Sequence, residues 1–563
     1  MKLVECVPNF SEGRDRAVID RIADAIRGVA GATLLDVDPG ADTNRTVVTL
    51  VGDPQAAVEA AFSAIRTAAE LIDMSKHHGA HARIGATDVC PFVPVSEMTQ
   101  EECVALARQL GQRVGDELGI PVYLYEHAAT RPERRNLADI RQGEYEGLAA
   151  KLRDPAWQPD FGPAVFNARS GATVIGARDF LIAYNINLNT REKKLAHDIA
   201  LILREQGRAE RDQDNKIVVD ADGNKKMIPG LFRCVKAVGW YIDTYNCAQI
   251  SINFTNHQVS PPHLVFDKAC ELAWERGLRV TGSELVGLIP KQALLEAGRH
   301  YLRKQKKSVG VDDDELVRVA VQSMGLSDIV KFDPQEKIIE HRIQSGPGRL
   351  VAMTGQEFLR ELASDSPAPG GGSVSALAGA YSAALGAMVA ALTHGKKGYQ
   401  EVYDEMERLG AEAHPFKDRL LAAVDTDAAA FDAVMAALRL PKASAEDKAR
   451  RQAAMLEANK NATLVPMGTL RGSIRPLEIA AAVAERGNQN SLSDAGVAGL
   501  MGRAAAEGAY YNVMINLPSV DDAAFRDQIR GEADQLLERA LALADRIRTL
   551  VLERLRAKLT PST

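Results

Sequence analysis

The sequence predicts two two-layer α/β subdomains followed by an all-α domain. Over the first third, short apolar runs alternate with segments of helical period. The alternation resumes after about residue 173. From about residue 354 strand signals cease, alanine rises, and apolar residues recur only at helical spacing.

In chain order, Lys2–Pro8 is an apolar strand. Asp15–Val29 is a helix with Val18, Ile19, Ile22 and Ile26 on one stripe. Ala32–Asp38 and Thr46–Gly52 are strands, and Pro54–Ile72 is an alanine-rich helix. Ala86–Pro94 (strand), Glu101–Leu118 (helix) and Pro121–Tyr125 (strand) complete the first subdomain. The second has strands at Phe180–Leu188, Val235–Ile242, Ala248–Asn253 and Arg279–Thr281, with helices at Thr190–Gln206 and His263–Glu275. Arg208–Met227 is highly charged, contains D-A-D-G-N, and reads as a solvent-exposed hairpin insertion. Ser327–Gly346 reads as a connector. The final helix carries Leu536, Leu537, Leu541, Ile547, Leu550, Val551 and Leu555 at helical spacing. The expected domains are 1–177, 178–330, a linker at 331–353, and 354–560.

The 563 residues are 46% hydrophobic and 25% charged, with a net charge of −7. That balance argues against general nucleic-acid binding, yet leaves room for a local basic funnel for a small anion. The six cysteines form no CxxC pair, which points to a reducing compartment. The N-terminus lacks the apolar core of a signal peptide, so a cytoplasmic location is expected. Ser366–Thr393 carries no charge and is long enough to span a bilayer. It is mostly Ala, Gly and Ser and opens S-P-A-P-G-G-G, so a buried helix behind a glycine-rich loop is expected, not a membrane span.

Asp73–Pro91, D-M-S-K-H-H-G-A-H-A-R-I-G-A-T-D-V-C-P, holds three of the eleven histidines within five residues. His77 and His81 stand at i, i+4, the spacing two metal ligands use on a helix. Gly79 and Gly85 oppose a helix, and no Glu lies between the pair. A proton-transfer role needs only one imidazole. A polar loop is the third reading.

L-V-E-C-V-P-N-F-S-E-G (Leu3–Gly13), L-L-D-V-D (Leu34–Asp38), T-N-R-T (Thr43–Thr46), the histidine stretch, D-F-G-P-A, F-L-I-A-Y-N-I-N-L, G-W-Y and V-G-L-I-P resemble glutamate formimidoyltransferase. S-D-S-P-A-P-G-G-G-S-V (Ser364–Val374), V-D-T-D-A-A-A-F (Val424–Phe431), L-P-K, S-L-S-D and Y-N-V-M-I-N-L resemble formimidoyltetrahydrofolate cyclodeaminase. The whole chain is therefore similar to the bifunctional formimidoyltransferase-cyclodeaminase family.

The resemblance implies that His81, in G-x-H-x-R-x-G, is a catalytic proton shuttle, leaving His77 and His78 as polar-loop residues. It implies a folate-binding stretch at Gly162, Pro163, Ala164, Val165, Phe166, Asn167, Ala168, Arg169, Ser170 and Gly171. It implies two sheets facing each other across a positively charged tunnel, tetrahydrofolate as a polyglutamylated carrier, no metal, formimidoylglutamate as donor, and homo-oligomers with dimer contacts in both domain types. In the helical domain it places the catalytic aspartate at Asp427. Ring closure onto the formimidoyl carbon needs proton transfers, which suit a carboxyl with a raised pKa. Asp425, two residues earlier, points to a different helical face.

Four further features have two readings each. Asp38 either orients His81 or caps the D-P-G-A-D turn. Arg45 and Arg83 either meet substrate carboxylates or are solvated. Gly370, Gly371 and Gly372 cradle folate with their backbone, start the helix, or do both. Lys396 and Lys397 either attract a glutamate tail or complement the helix dipole. The competing functions are a monofunctional transferase with a helical scaffold, a methenyltetrahydrofolate cyclohydrolase-like helical domain, and a folate store without turnover.

Overall fold

A computed structural model describes residues 2–79, 81–214, 216–220, 223–343 and 348–559. The chain divides into two compact units, residues 1–297 with 320–344, and residues 298–319 with 345–563.

The first unit begins with β1 (Leu3–Cys6), β2 (Asn9–Phe10), α1 (Arg16–Arg27), β3 (Ala32–Gly40), β4 (Arg45–Gly52), α2 (Pro54–Leu71), β5 (Thr87–Ser96), α3 (Gln100–Leu118), β6 (Val122–Glu126), α4 (Leu137–Ile140), α5 (Glu144–Lys151) and β7 (Thr173–Ala177). β1 and β2 both pair with β4 and with β5, so they are two halves of one strand position. Pro8, with no amide hydrogen to give the ladder, lies at the break in what the sequence predicts as one strand. β3 extends the sheet beyond β4, and β7 runs parallel between β5 and β6. Thr173–Ala177 therefore completes the first sheet, and the second α/β alternation starts later than the sequence predicts. A strand buried on both faces has no alternation to reveal its sheet. Ile22 and Ile26 of α1, Phe62 and Ile65 of α2, and Leu110 and Val114 of α3 pack on Val4, Leu50 and Phe92.

Next come β8 (Ile182–Leu188), α6 (Lys193–Leu203), β9 (Arg208–Ala209), β10 (Met227–Ile228), β11 (Val235–Ile242), β12 (Cys247–Phe254), α7 (Pro262–Trp274) and β13 (Val280–Val286). β9 and β10 form the expected hairpin. The other four strands make an antiparallel sheet in the order β11-β12-β8-β13. Its apolar face buries Tyr184, Ile186, Ile250, Ile252 and Phe254. Its other face carries an amide and carboxylate network. Gln249 donates to Asn187 at 2.7 Å, Asn185 donates to Glu284 at 3.2 Å, and the Tyr245 hydroxyl donates to Glu284 at 2.8 Å.

The chain passes between the units within α8 (Lys291–Lys304) and α9 (Asp313–Ser323). α10 (Pro334–Lys337) and α11 (Ile339–Ile343) belong to the first unit. Ile338 bridges to Ile289, Arg342 donates to the Leu35 carbonyl, and Ile339 packs with Leu35, Val51 and Leu288. The part of the expected linker up to Ile343 is thus built into the seam between the two sheets.

The second unit contains α12 (Gly355–Leu362), α13 (Gly371–Thr393), α14 (Tyr403–Leu438), α15 (Ala445–Arg486), α16 (Leu492–Asn516) and α17 (Ala523–Ala557). α13 is long and apolar enough to cross a membrane, but it serves here as a core helix. Its small residues admit neighbours closely, with Gly379 against Leu420 and Gly386 against Ile479. Gly502 and Gly499 of α16 receive Leu477 and Ile547 in the same way.

Candidate active sites

In the first unit the histidine stretch leaves α2 through a short turn that the Asp73 side chain caps at Ser75, and its described residues from there to β5 form no helix or strand. His77 is buried, with Nε2 2.8 Å from the Asn44 carbonyl and Nδ1 accepting from Arg83 Nε at 3.4 Å. Both nitrogens are spent on holding the loop. His78 is exposed and lines a cavity of about 450 Å³ with Gly79, Arg83, Gly143, Glu144 and Glu146. Among the described residues no group of three or more His, Cys, Asp or Glu is placed to hold a metal ion.

His81 is set differently. Its Nδ1 lies 2.7 Å from the Ala82 carbonyl, so Nδ1 carries the hydrogen and Nε2 keeps its lone pair. Burial, then Arg45 and Arg141, push its pKa down to about 4, against the weaker pull of the Ala82 carbonyl and Asp88. The imidazole is therefore neutral at pH 7.

Those cations converge on Asp88, which has no exposed surface. Arg45 Nη1 donates to Asp88 Oδ2 at 2.6 Å and its Nε to Asn9 at 3.2 Å. Arg141 Nη2 donates to the same Oδ2, and its Nε reaches Oδ1 at 3.4 Å. The Ile84 amide donates to Oδ1 at 3.0 Å. Burial opposes ionisation of Asp88, but Arg141 and Arg45 prevail and hold it at about 2. Sequence reasoning missed both Asp88 and Arg141. Arg141 follows a four-residue helix, and no local pattern ties it to the loop 60 residues earlier.

The other expected residues fall elsewhere. Arg83 is taken up by Glu146, at 2.7 and 2.8 Å, and by Glu144 at 2.9 Å. Asp38 lies on β3, with its pKa raised by burial and then by Asp36 against the pull of Lys337, and with Glu284 raising it further. No hydrogen bond joins it to His81 among the described contacts. Asp36 and Asp38 lie here with Glu284, Lys337 and Arg342, so charges of both signs meet at this part of the seam.

The 162–171 loop is anchored at both ends. Gly162 and Gly171 have φ of 76° and 67°, where a side chain is strained. A Cβ at Gly171 would also overlap the Ile84 carbonyl. Asn167 accepts from the amides of Arg169 and Ser170, while the Arg169 and Ser170 carbonyls bind the Met74 and Ala86 amides. The loop thus holds both ends of the histidine stretch. Pro163, Ala164 and Val165 are exposed, Ala168 accepts from the Tyr145 hydroxyl at 2.5 Å, and the Phe166 ring lies 5.4 Å from that of Tyr145.

In the second unit Gly370 caps α13, and Gly371 and Gly372 form its first turn. Asp427 of α14 lies against that turn. A Cβ at Gly372 would overlap its carboxylate, so glycine is required for this approach. Ser373 Oγ lies 3.2 Å from Asp427 Oδ2 and 2.9 Å from the Val424 carbonyl. Burial raises the Asp427 pKa, against the Ser373 hydroxyl and amide that favour the carboxylate. Asp425 points away and accepts from the amides of Leu350 and Val351 at 2.7 and 3.1 Å. Lys396 donates to Asn488 at 2.6 Å, and Lys397 is exposed.

His81 in the first unit and Asp427 in the second are each shifted toward the neutral form by burial. Residues 3–178 match the family described as "Formiminotransferase domain, N-terminal subdomain", residues 183–344 the "Formiminotransferase domain", and residues 354–535 "Formiminotransferase-cyclodeaminase". The formimidoyltransferase-cyclodeaminase of Gallus gallus is 45% identical over 547 residues, covering 96% of this chain and 97% of that protein. The glutamate formimidoyltransferase of Streptococcus pyogenes is 42% identical over 302 residues, 54% of this chain and 94% of that one. The methenyltetrahydrofolate cyclohydrolase of Methylorubrum extorquens is 43% identical over 192 residues, 34% of this chain and 92% of that one. The chain belongs to the formimidoyltransferase-cyclodeaminase family and is a bifunctional enzyme with both activities of that name.

Proposed function

We propose that the first unit moves the formimidoyl group from N-formimidoyl-L-glutamate to N5 of tetrahydrofolate, with His81 as the shuttle. The observation that carries this is the neutral imidazole with Nδ1 fixed to a carbonyl and Nε2 without a partner among the described residues. Nε2 takes the proton from N5 as it attacks, and returns one to the glutamate nitrogen as it leaves. The 162–171 loop, tied to both ends of the histidine stretch, carries the folate, and Arg45 faces a donor carboxylate.

The second unit closes N10 of the product onto the formimidoyl carbon, giving 5,10-methenyltetrahydrofolate and ammonia. Asp427 handles the protons there, supported by its buried carboxyl and the glycine turn that admits it. The half-buried Gly370 and exposed Gly371 leave backbone room for the pteridine, and Lys396 and Lys397 stand at the far end of α13 for a polyglutamate tail. A second reading, methenyltetrahydrofolate cyclohydrolysis in this unit, draws on the Methylorubrum likeness.

The chain works as a homo-oligomer in the cytoplasm. Exposed Val374, Tyr381, Met388 and Leu392 form a stripe along α13, as Val497, Leu500, Tyr511 and Ile515 do along α16. A second copy would bury these stripes. Purified protein given tetrahydrofolate and formimidoylglutamate tests the activities. Free ammonia and the near-ultraviolet methenyl band should rise together. Glutamate release with neither would refute the cyclodeaminase reading. Release of formyl product from added methenyltetrahydrofolate without ammonia chemistry would favour the second.

A further inference from the structure

We infer that Arg141 and Arg45 together form an anion subsite for one carboxylate of the amino-acid donor, with Asp88 as the residue that positions both. The inference rests on the transferase reading of His81. Two guanidiniums and one carboxylate leave one net positive charge in a cluster where Asp88 is fully buried and Arg45 is 8% exposed. A buried charge without its counter-ion is costly, and a bound anion supplies one.

The geometry leaves donors for that anion. Arg45 spends Nη1 on Asp88 and Nε on Asn9, so Nη2 has no partner among the described contacts. Arg141 spends Nη2 and Nε on Asp88, which leaves Nη1 without a partner among the described contacts. Two guanidinium nitrogens fixed by one carboxylate suit the two oxygens of a second carboxylate. Arg83 differs, because Glu144 and Glu146 already exceed its charge.

The subsite also couples binding to chemistry. Burial and the charges of Arg45 and Arg141 depress the basicity of His81, while Asp88 opposes them. A donor carboxylate on the two arginines cancels the excess charge, so His81 becomes a stronger base when the donor is seated.

L-Glutamate, the proposed product, is the probe. Calorimetric titration into the full-length protein measures its affinity, and the His81 ring proton followed by NMR reports its titration. Arg141→Gln should weaken L-glutamate binding at least tenfold. Arg141→Lys, which keeps the charge and protects folding, should weaken it severalfold. L-Glutamate should raise the His81 midpoint in the wild type and not in Arg141→Gln. Asp88→Asn leaves both arginines uncompensated and should lower the His81 midpoint further; a merely structural role would leave it in place. Unchanged L-glutamate affinity in both Arg141 variants, or a His81 midpoint that L-glutamate does not move, would overturn the subsite. Arg141-dependent binding with no formimidoyl transfer would instead overturn the transferase reading and leave the subsite standing.

Discussion

His81 sits in a loop between a helix and a strand, beside two guanidiniums held by a buried carboxylate. Asp427 sits on a long helix, against the glycine turn of another, where the groups that act on it are the Ser373 hydroxyl and amide. Both groups are pushed toward their neutral forms, His81 by burial and cations, Asp427 by burial alone. The difference follows from the scaffolds. Strand ends and loops can bring arginines from distant elements to one point, whereas in this helical unit the buried group is reached where glycine removes a side chain.

The sharpest way to break the comparison is to remove the imidazole. His81→Ala should lower formimidoyl transfer by about 10²–10⁴-fold, while supplied 5-formimidoyltetrahydrofolate is still deaminated at the wild-type rate. Equal losses in both assays would show that the units do not act separately. Next is Gly372→Ala, which forces Asp427 from its seat. Ammonia release should fall by about 10²-fold, the cost of a displacement near 1 Å, with transfer intact.

Ser373→Ala probes the pH behaviour. The hydroxyl favours the carboxylate form of Asp427, so its loss should move the acid limb of the deaminase profile to higher pH. An unmoved limb would mean that another group sets it. The smallest effect concerns Glu5, a buried carboxyl with no assigned reaction. Burial raises it from 4.5 to about 7, against the pull of Arg178. The folded state therefore keeps a proton that the unfolded chain gives up between pH 4.5 and 7, and stability falls as pH rises through that window. Glu5→Gln should flatten the fall, gaining about 1–3 kcal/mol at pH 8. Urea unfolding can follow it through Trp157, Trp240 and Trp274, all in the first unit. Glu5 also shows that a raised carboxyl alone marks no site; the glycine approach is what sets Asp427 apart.

Period and composition made most elements legible. Pro54–Ile72 was expected and Pro54–Leu71 is observed; Val235–Ile242 matches at both ends. The misses have physical causes. The Pro8 break and the place of Thr173–Ala177 depend on pairing partners that local pattern does not specify. In the sites, residues within quoted motifs were visible, but their partners were not. Asp88 lies inside the histidine stretch, yet its weight comes from arginines 43 residues before and 53 after it. The glycines before α13 were plain, but only the fold shows that Gly372 makes room for Asp427.

The most direct test of one proton-transfer group per unit is the coupled assay on Asp427→Asn. The variant should release glutamate at the wild-type rate, accumulate 5-formimidoyltetrahydrofolate, and produce neither ammonia nor the methenyl band. Ammonia and methenyl product at wild-type rates would contradict the account, because ring closure would then proceed without the carboxylate that the helical unit is built to shield.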